Sequence, residues 1–392
     1  MKILIVGAGI AGPAVAYWLN RAGHQTTIVE HASELRGGGY IVDFWGAGFD
    51  VAKKMGIVPQ LMRRGYVMTE ARTVNRNGHR LATLKTEKIL EAAGRYVSVA
   101  RSDLASVICD ALDGNTELIF DDTVMHLDDD DQRVRVTFRS GTTQDFDLVV
   151  GADGLHSRVR QLAFGPDADF EKYLGMVVAC FETTSYWRRN ELAAIMYAGV
   201  GFQATRLSLR DDSTMILFSL RHDGELPATR VEQERLVRAK LADQGWELPA
   251  MLELMSKAKD FYFDAVSQIR MPQWSSGRVA LVGDAAACPS FLAGQGSALA
   301  VVEAYTLAAE LAATQDHRLA FSRYHDRLAA FLLSKQDAAV GLGLAFAPKN
   351  RLQLATRNVV MKLMALPKVA DLAMGKSFHD AVELPHFAAH EQ

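Results

Sequence analysis

Three times along this chain a short run of Ile, Val and Leu breaks at a glycine and gives way to a segment with helical spacing. Residues 2–6 are apolar after Lys2 without alternation, the pattern of a strand covered on both faces. Residues 11–22 follow with helical period, Gly23 supplies a stop, and residues 25–30 read as a second strand, so the N-terminus predicts a βαβ unit. The same break recurs at Gly151-Ala152-Asp153-Gly154 and at Gly283-Asp284-Ala285-Ala286.

Between these breaks the rhythm is mixed. Residues 67–74 and 80–84 flank Asn77-Gly78, a pair that readily takes the positive φ angles of a hairpin turn. Residues 96–100 predict a strand and 102–112 a helix, with Ser102 available as its cap. A second hairpin is expected from 123–127 and 134–139. Its turn carries Asp128 to Asp131, which read as solvated charges because they lack the spacing of a calcium loop. From about residue 170 to 270 the strand-like stretches 176–182, 193–197, 203–209, 214–220 and 263–269 follow one another, interrupted by one helical stretch at 230–244. That predicts a mostly antiparallel sheet. After Gly296 the pattern is helical nearly to the end, and residues 350–364 read as a bridging helix rather than one lying on a membrane.

Length and composition narrow the function classes. A chain of 392 residues exceeds one ordinary core and implies two or three domains. A formal net charge of -3 gives no electrostatic reason for a nucleic-acid or anionic-membrane partner. Cys109, Cys180 and Cys288 are too scattered for a disulfide framework or metal knuckle, which points to a reducing, cytoplasmic compartment. His379, His386 and His390 lack surrounding ligand types, so no metal is expected. The first 19 residues imitate a signal peptide, but their glycine spacing and the strand at 25–30 favour the fold. No run reaches the roughly 18 consecutive apolar residues of a membrane span.

The three breaks carry the chemistry. Gly7-Ala8-Gly9-Ile10-Ala11-Gly12 has the G-x-G-x-x-G spacing, in which Gly9, Ala11 and Gly12 bring bare backbone to a pyrophosphate at a helix start. Glu30, at the end of the second strand, is placed to accept from ribose hydroxyls. This element alone fits NAD and FAD equally. The third break separates them. Asp284 can accept from ribityl hydroxyls, or merely cap its own turn. Gly294, Gly296 and Ser297 open a small-residue helix whose N–H groups suit the flavin pyrimidine. NAD has no ribityl chain, so FAD is the expected cofactor.

With these motifs in order, the chain resembles the single-component flavin monooxygenases of the para-hydroxybenzoate hydroxylase superfamily, especially those that tailor or inactivate polyketides and tetracyclines. The central run from Asp147 to Arg160, with Asp153 at its heart, is similar to that family's motif for FAD and NAD(P)H. The resemblance makes Arg101 an FAD contact. It places Arg36 and Asp43 in a glycine-rich loop beside the isoalloxazine, although a plain flexible turn fits that stretch nearly as well. It also implies NADPH or NADH as transient reductant and O₂ as co-substrate, with oxygen transferred from a flavin C4a-hydroperoxide to an electron-rich carbon. Two positions depart from the family: Ala287 replaces a common histidine, and Phe291 a common proline.

The expected fold is therefore α/β: a Rossmann-like FAD-binding domain (residues 1–65, 95–169 and 270–340) interleaved with a mostly antiparallel substrate domain (66–94 and 170–269), then a C-terminal helical segment (341–392). Phe181, Phe202, Gln203, Met215 and Phe218 either line a pocket for a small aromatic substrate or form plain core. No catalytic side chain is singled out, and a monomer is compatible with the composition. The competing readings are an FAD-dependent reductase acting on a hydrophobic substrate, and a binding protein built on a flavoprotein fold. A halogenase lacks support because Trp187, Trp246 and Trp274 stand alone.

Overall fold

The computed structural model describes residues 1–35, 40–86, 96–112, 114–186, 192–209, 212–366, 380 and 382–387. Its first layer is a six-stranded sheet in the order Ser275–Ser276, Val279–Leu281, Leu148–Gly151, Lys2–Val6, Gln25–Val29, Thr116–Ile119. All pairs are parallel except the first. Ile3, Leu4 and Ile5 are fully buried, which is why this strand lacks alternation. Register then does the positioning. Val6 lies opposite Gly151, and Gly151 opposite Leu281, so all three glycine breaks leave the sheet at neighbouring carboxyl ends. Ligands of open α/β sheets bind at that edge.

Helix Ala11–Arg21 packs on helix Gly296–Ala313, which also contacts Ala47–Met55 and His317–Phe346. Gly296–Ala313 is long and apolar enough to cross a bilayer, but 78% of it is buried, which assigns it to the core.

The second layer is a seven-stranded sheet in the order Phe261–Ile269, Glu171–Thr183, Thr214–Arg221, Phe202–Ser208, Ala193–Gly199, Glu70–Val74, Arg80–Lys85. One face packs Val177, Ala179, Ile216 and Leu220 against Val237, Leu241, Leu248 and Met251. The opposite face carries Cys180, Leu207, Met215 and Leu217 toward Tyr40, Ile41 and Tyr66 of the nucleotide-binding layer. The Asn77-Gly78 hairpin is added at the sheet's edge by parallel pairing of Glu70–Val74 with Ala193–Gly199.

Three expectations change. Two helices, Arg230–Leu241 and Leu248–Met255, interrupt the second sheet instead of one. The second begins with Pro249 in its first turn, where the missing N–H costs nothing. Helix Arg101–Asp110 starts one residue before Ser102, with Ala100 at its cap position and no side-chain cap. Finally, the tail is not uniformly helical. The boundary at 340 falls inside His317–Phe346, helix Arg351–Met364 comes next, and residues 382–387 have no helix. They fold back as a strap. Tyr305 donates to the Pro385 carbonyl (2.8 Å), Phe387 packs on Trp18 (5.0 Å between centroids), and the Asp380 carboxylate accepts from Ala47 N–H (2.9 Å) and Lys335 Nζ (2.6 Å). Pro385 disfavours helix at the residue before it.

The aspartate turn joins neighbouring parts. Asp129 accepts from Arg278 N–H (2.7 Å), Asp130 from Arg133 N–H (2.8 Å), and Asp131 pairs with Arg318 (3.0 Å). Among the described residues no group of three His, Cys, Asp or Glu is placed to hold a metal ion. His379 and His390 lie outside the described residues.

Candidate functional site

One end of the site is the first glycine loop. Gly7, at φ 106°, sits so close to the second break that a Cβ there would lie 2.6 Å from the Ala152 carbonyl oxygen. Gly12 is tighter still: its Cβ would meet the Gly7 oxygen at 1.9 Å. These contacts leave the first turn of Ala11–Arg21 hard against the loop, and no side chain caps it at Ile10. Free N–H groups at such a helix start can hold an anion. Glu30 accepts from Ala8 N–H (2.8 Å) and Ala32 N–H (3.0 Å), which fixes its carboxylate at the loop's rim. Arg101 lies over the same loop, since a Cβ on Gly9 would be 3.5 Å from its Nη2.

The other end is built around Asp284. Burial pushes its carboxyl above the ordinary range, while the Arg101 charge and the Cys288 thiol pull it back. Arg101 thus lies beside Gly9 while its charge acts on Asp284, which brings the two ends into one neighbourhood. A Cβ on Gly296 would lie 3.5 Å from Asp284 Oδ1, which places the start of Gly296–Ala313 beside that carboxylate. Gln295 gives this helix no side-chain cap either, leaving the N–H groups of its first turn, Ser297 among them, and the Gly294 turn before it available to an anionic ring.

The remaining candidates divide. Asp153 lies next to Gly7, but its carboxylate accepts from Ser157 Oγ (2.5 Å) and Val159 N–H (3.0 Å). It braces the second break. Asp43 accepts from Ser98 Oγ (2.6 Å) on the neighbouring strand and from the Tyr96 hydroxyl. Arg36, with Gly37 to Gly39, lies outside the described residues.

Of the two readings left open for Phe181, Phe202 and Phe218, the fold favours core over pocket wall. All three pack on the helix-covered face of the second sheet, at 3%, 2% and 0% exposure. Gln203 and Met215 point the other way: Met215 Sδ accepts from Ile41 N–H (3.2 Å) and Gln203 Oε1 from Arg357 Nη2 (2.5 Å). Phe218→Ala is therefore expected to lower unfolding stability by about 3–5 kcal/mol. Its FAD affinity should change less than about threefold, since no ligand contact is lost. Denaturant melts and flavin titrations check both.

Several residues have partners at the site that the sequence did not show. Arg160 is fully buried and donates to the Ala285 carbonyl (3.0 Å), the Leu155 carbonyl (2.6 Å) and Asp167 (2.6 Å), tying the second break to the third. Its spacing after Ser157 was visible; its target 125 residues away was not. Tyr40 packs on Tyr262 (5.5 Å) and edge-on to Phe291 (5.4 Å), and burial pushes its phenol up to about 12. The departure at Phe291 therefore builds an aromatic wall. Glu303 accepts from Gly283 N–H (2.8 Å) and Tyr324 Oη (3.1 Å), and burial raises its carboxyl to about 8. A raised carboxyl means the folded chain holds a proton that the unfolded chain releases from about pH 4.5 upward. Stability should fall as pH rises from there to about 8. Glu303→Gln should flatten that slope in melts across the range.

A dinucleotide-type glycine loop, joined through one arginine to a buried acid and a second uncapped helix start, defines a flavoprotein cradle for FAD. Residues 1–327 match the family described as FAD binding domain. A flavin-dependent monooxygenase from an unknown prokaryotic organism is 34% identical over 98% of this chain and 99% of its own length. The crystal structure of tetracycline destructase Tet(55) superposes with a TM-score of 0.85 at 32% identity, covering 98% of both chains. Klebsiella pneumoniae HpxO, solved with FAD and uric acid, shares the fold at 19% identity, with a TM-score of 0.81 over 96% of both chains. The chain belongs to the FAD-dependent monooxygenases of the para-hydroxybenzoate hydroxylase superfamily.

Proposed function

We propose that this enzyme hydroxylates an electron-rich aromatic or polyketide molecule of tetracycline-like character, consuming NADPH or NADH. The observation that carries the proposal is the aromatic and apolar wall at the flavin end of the groove. Tyr40 packs on Phe291 and on Tyr262 of the second sheet, and it lies against the sheet face bearing Cys180, Met215 and Leu217. A flat, mostly apolar substrate fits such a wall. The tetracycline destructase Tet(55), 32% identical, supports the same substrate class.

FAD, when bound, supplies the redox chemistry, taking up reducing equivalents from the nicotinamide and activating O₂. This chain's residues do the rest. The Gly9 to Gly12 backbone and Arg101 hold the diphosphate, Glu30 the adenosine ribose, and Asp284 the ribityl hydroxyls. The N–H groups at Gly294 to Ser297 favour negative charge on the pyrimidine ring. The aromatic wall excludes water from the oxygen-transfer position. The cofactor-holding part comprises residues 1–65, 95–169 and 270–340, and the substrate part 66–94 and 170–269, a division supported by which sheet each strand joins.

The test is substrate-stimulated NADPH consumption under ¹⁸O₂ with a panel of phenols and tetracycline-like polyketides. One labelled atom in the product supports hydroxylation. Substrate turnover without label would replace the proposal with a reductase.

A further inference from the structure

Ser290 lies between Asp284 and the Gly296–Ala313 helix with φ 91° and ψ 159°. That conformation is essentially reserved for glycine, because a Cβ is disfavoured there. The side chain offers no compensation: the Ser290 hydroxyl is buried without a hydrogen-bond partner among the described residues. Something outside the loop must enforce it.

Two buried glutamines do. Gln268, fully buried, donates from Nε2 to the Pro289 carbonyl (3.1 Å) and the Gln336 carbonyl (2.6 Å). Gln336, 4% exposed, donates from Nε2 to the Cys288 carbonyl (3.2 Å) and the Ile269 carbonyl (2.7 Å). Arg270 Nε donates to Gln268 Oε1 (3.0 Å) and its Nη2 reaches Asp337 (2.7 Å), which fixes the amide's orientation. The two carbonyls just before Ser290 are thereby held by side chains from two elements, strand Phe261–Ile269 and helix His317–Phe346.

Beyond Ser290 the chain enters the flavin end of the groove. Phe291 meets Tyr40 edge-on, Leu292 packs with Met176 and Val178, and the Gly294 turn leads into the uncapped helix. A relaxed, negative φ at Ser290 would redirect all of it. We propose that Gln268 and Gln336 are positioning residues: their amides clamp Ser290 in a glycine-like turn, and that turn presents Phe291 and the N–H groups at Gly294 to Gly296 to the isoalloxazine end of FAD. The inference rests on the reading of this groove as the FAD site.

The test is FAD titration of the stripped protein, followed by flavin fluorescence and by the visible circular dichroism of the bound ring. Gln336→Met keeps the side-chain length and removes both donors, so affinity should drop about tenfold. The bound-flavin dichroism should change with it. Ser290→Gly in the same chain should restore affinity to within about threefold of wild type, because glycine adopts the turn without enforcement. Ser290→Ala alone should bind FAD as wild type does, since the hydroxyl has no partner to lose. Unchanged affinity in Gln336→Met, or a double variant as weak as the single, would overturn the clamp. Weak binding by Ser290→Ala would overturn it in favour of a direct hydroxyl contact. Failure of the wild-type chain itself to bind FAD would instead refute the reading of the groove.

Discussion

Replacing Gly12 with alanine is expected to strip the protein of its flavin, lowering FAD affinity by more than about 100-fold, or 2.7 kcal/mol. The added Cβ would sit 1.9 Å from the Gly7 oxygen and 3.3 Å from Ile5 Cγ2, and the nearer neighbour is a backbone carbonyl that cannot rotate away. Relief requires the first turn of Ala11–Arg21 to move off the loop, which carries its N–H groups away from the diphosphate. Gly9 supplies the contrast. Its Cβ would meet only Arg101 Nη2, at an ordinary 3.5 Å, so Gly9→Ala should fold normally and lose FAD affinity solely through crowding of the ligand. Flavin absorbance of the purified variants checks the pair, with far-ultraviolet circular dichroism establishing that Gly12→Ala is folded. A yellow Gly12→Ala protein with full flavin content would contradict the packing argument.

Arg101→Ala should have the next largest effect, because one guanidinium serves both ends of the groove. Losing a hydrogen bond from a half-buried cation to the diphosphate typically costs about 1.5–3 kcal/mol, so FAD affinity should fall roughly 10- to 150-fold. Arg101→Lys should recover only part of this, since lysine keeps the charge but not the planar fork. A second consequence separates this variant from simple loss of a contact. Asp284 already has its carboxyl raised by burial, and Arg101 is the charge that pulls it down. Without it the folded chain holds the Asp284 proton to higher pH, so the loss of stability with rising pH should extend further upward than in wild type. Calorimetric titration with FAD and melts across pH measure the two effects. An Arg101→Ala protein with wild-type affinity and pH dependence would show that the guanidinium does not bridge the groove.

Much of the scaffold was legible in local pattern. Continuous apolar runs announced the strands that precede the three breaks, though not Thr116–Ile119, and Asn77-Gly78 announced a hairpin, because these features depend on neighbours in sequence. The glycine spacing and Glu30 likewise pointed to one loop, and the fold holds that carboxylate at the loop's rim. Period-2 alternation could not show which face of the second sheet is covered. Phe218 and Gln203 lie on opposite faces, and the choice is made by Leu241, Leu248 and Met251 on helices that come later in the chain. Asp153 shows the same limit. Its motif was recognisable, but only the fold shows that Ser157 and Val159 take its carboxylate. The strained turn at Ser290 has no sequence signal, since it is imposed by glutamine side chains from two remote elements.

The central claim is that the first and third breaks, braced by the second, grip a single extended ligand from its adenosine to its ring. Titrating the stripped protein with FAD and with FMN tests it most directly. FMN keeps the ring, the ribityl chain and one phosphate but lacks the adenosine half that Glu30 and the first glycine loop are placed to hold. FAD should bind at one per chain, with FMN at least about 100-fold weaker. Equal affinity for the two flavins would mean that the N-terminal loop holds nothing.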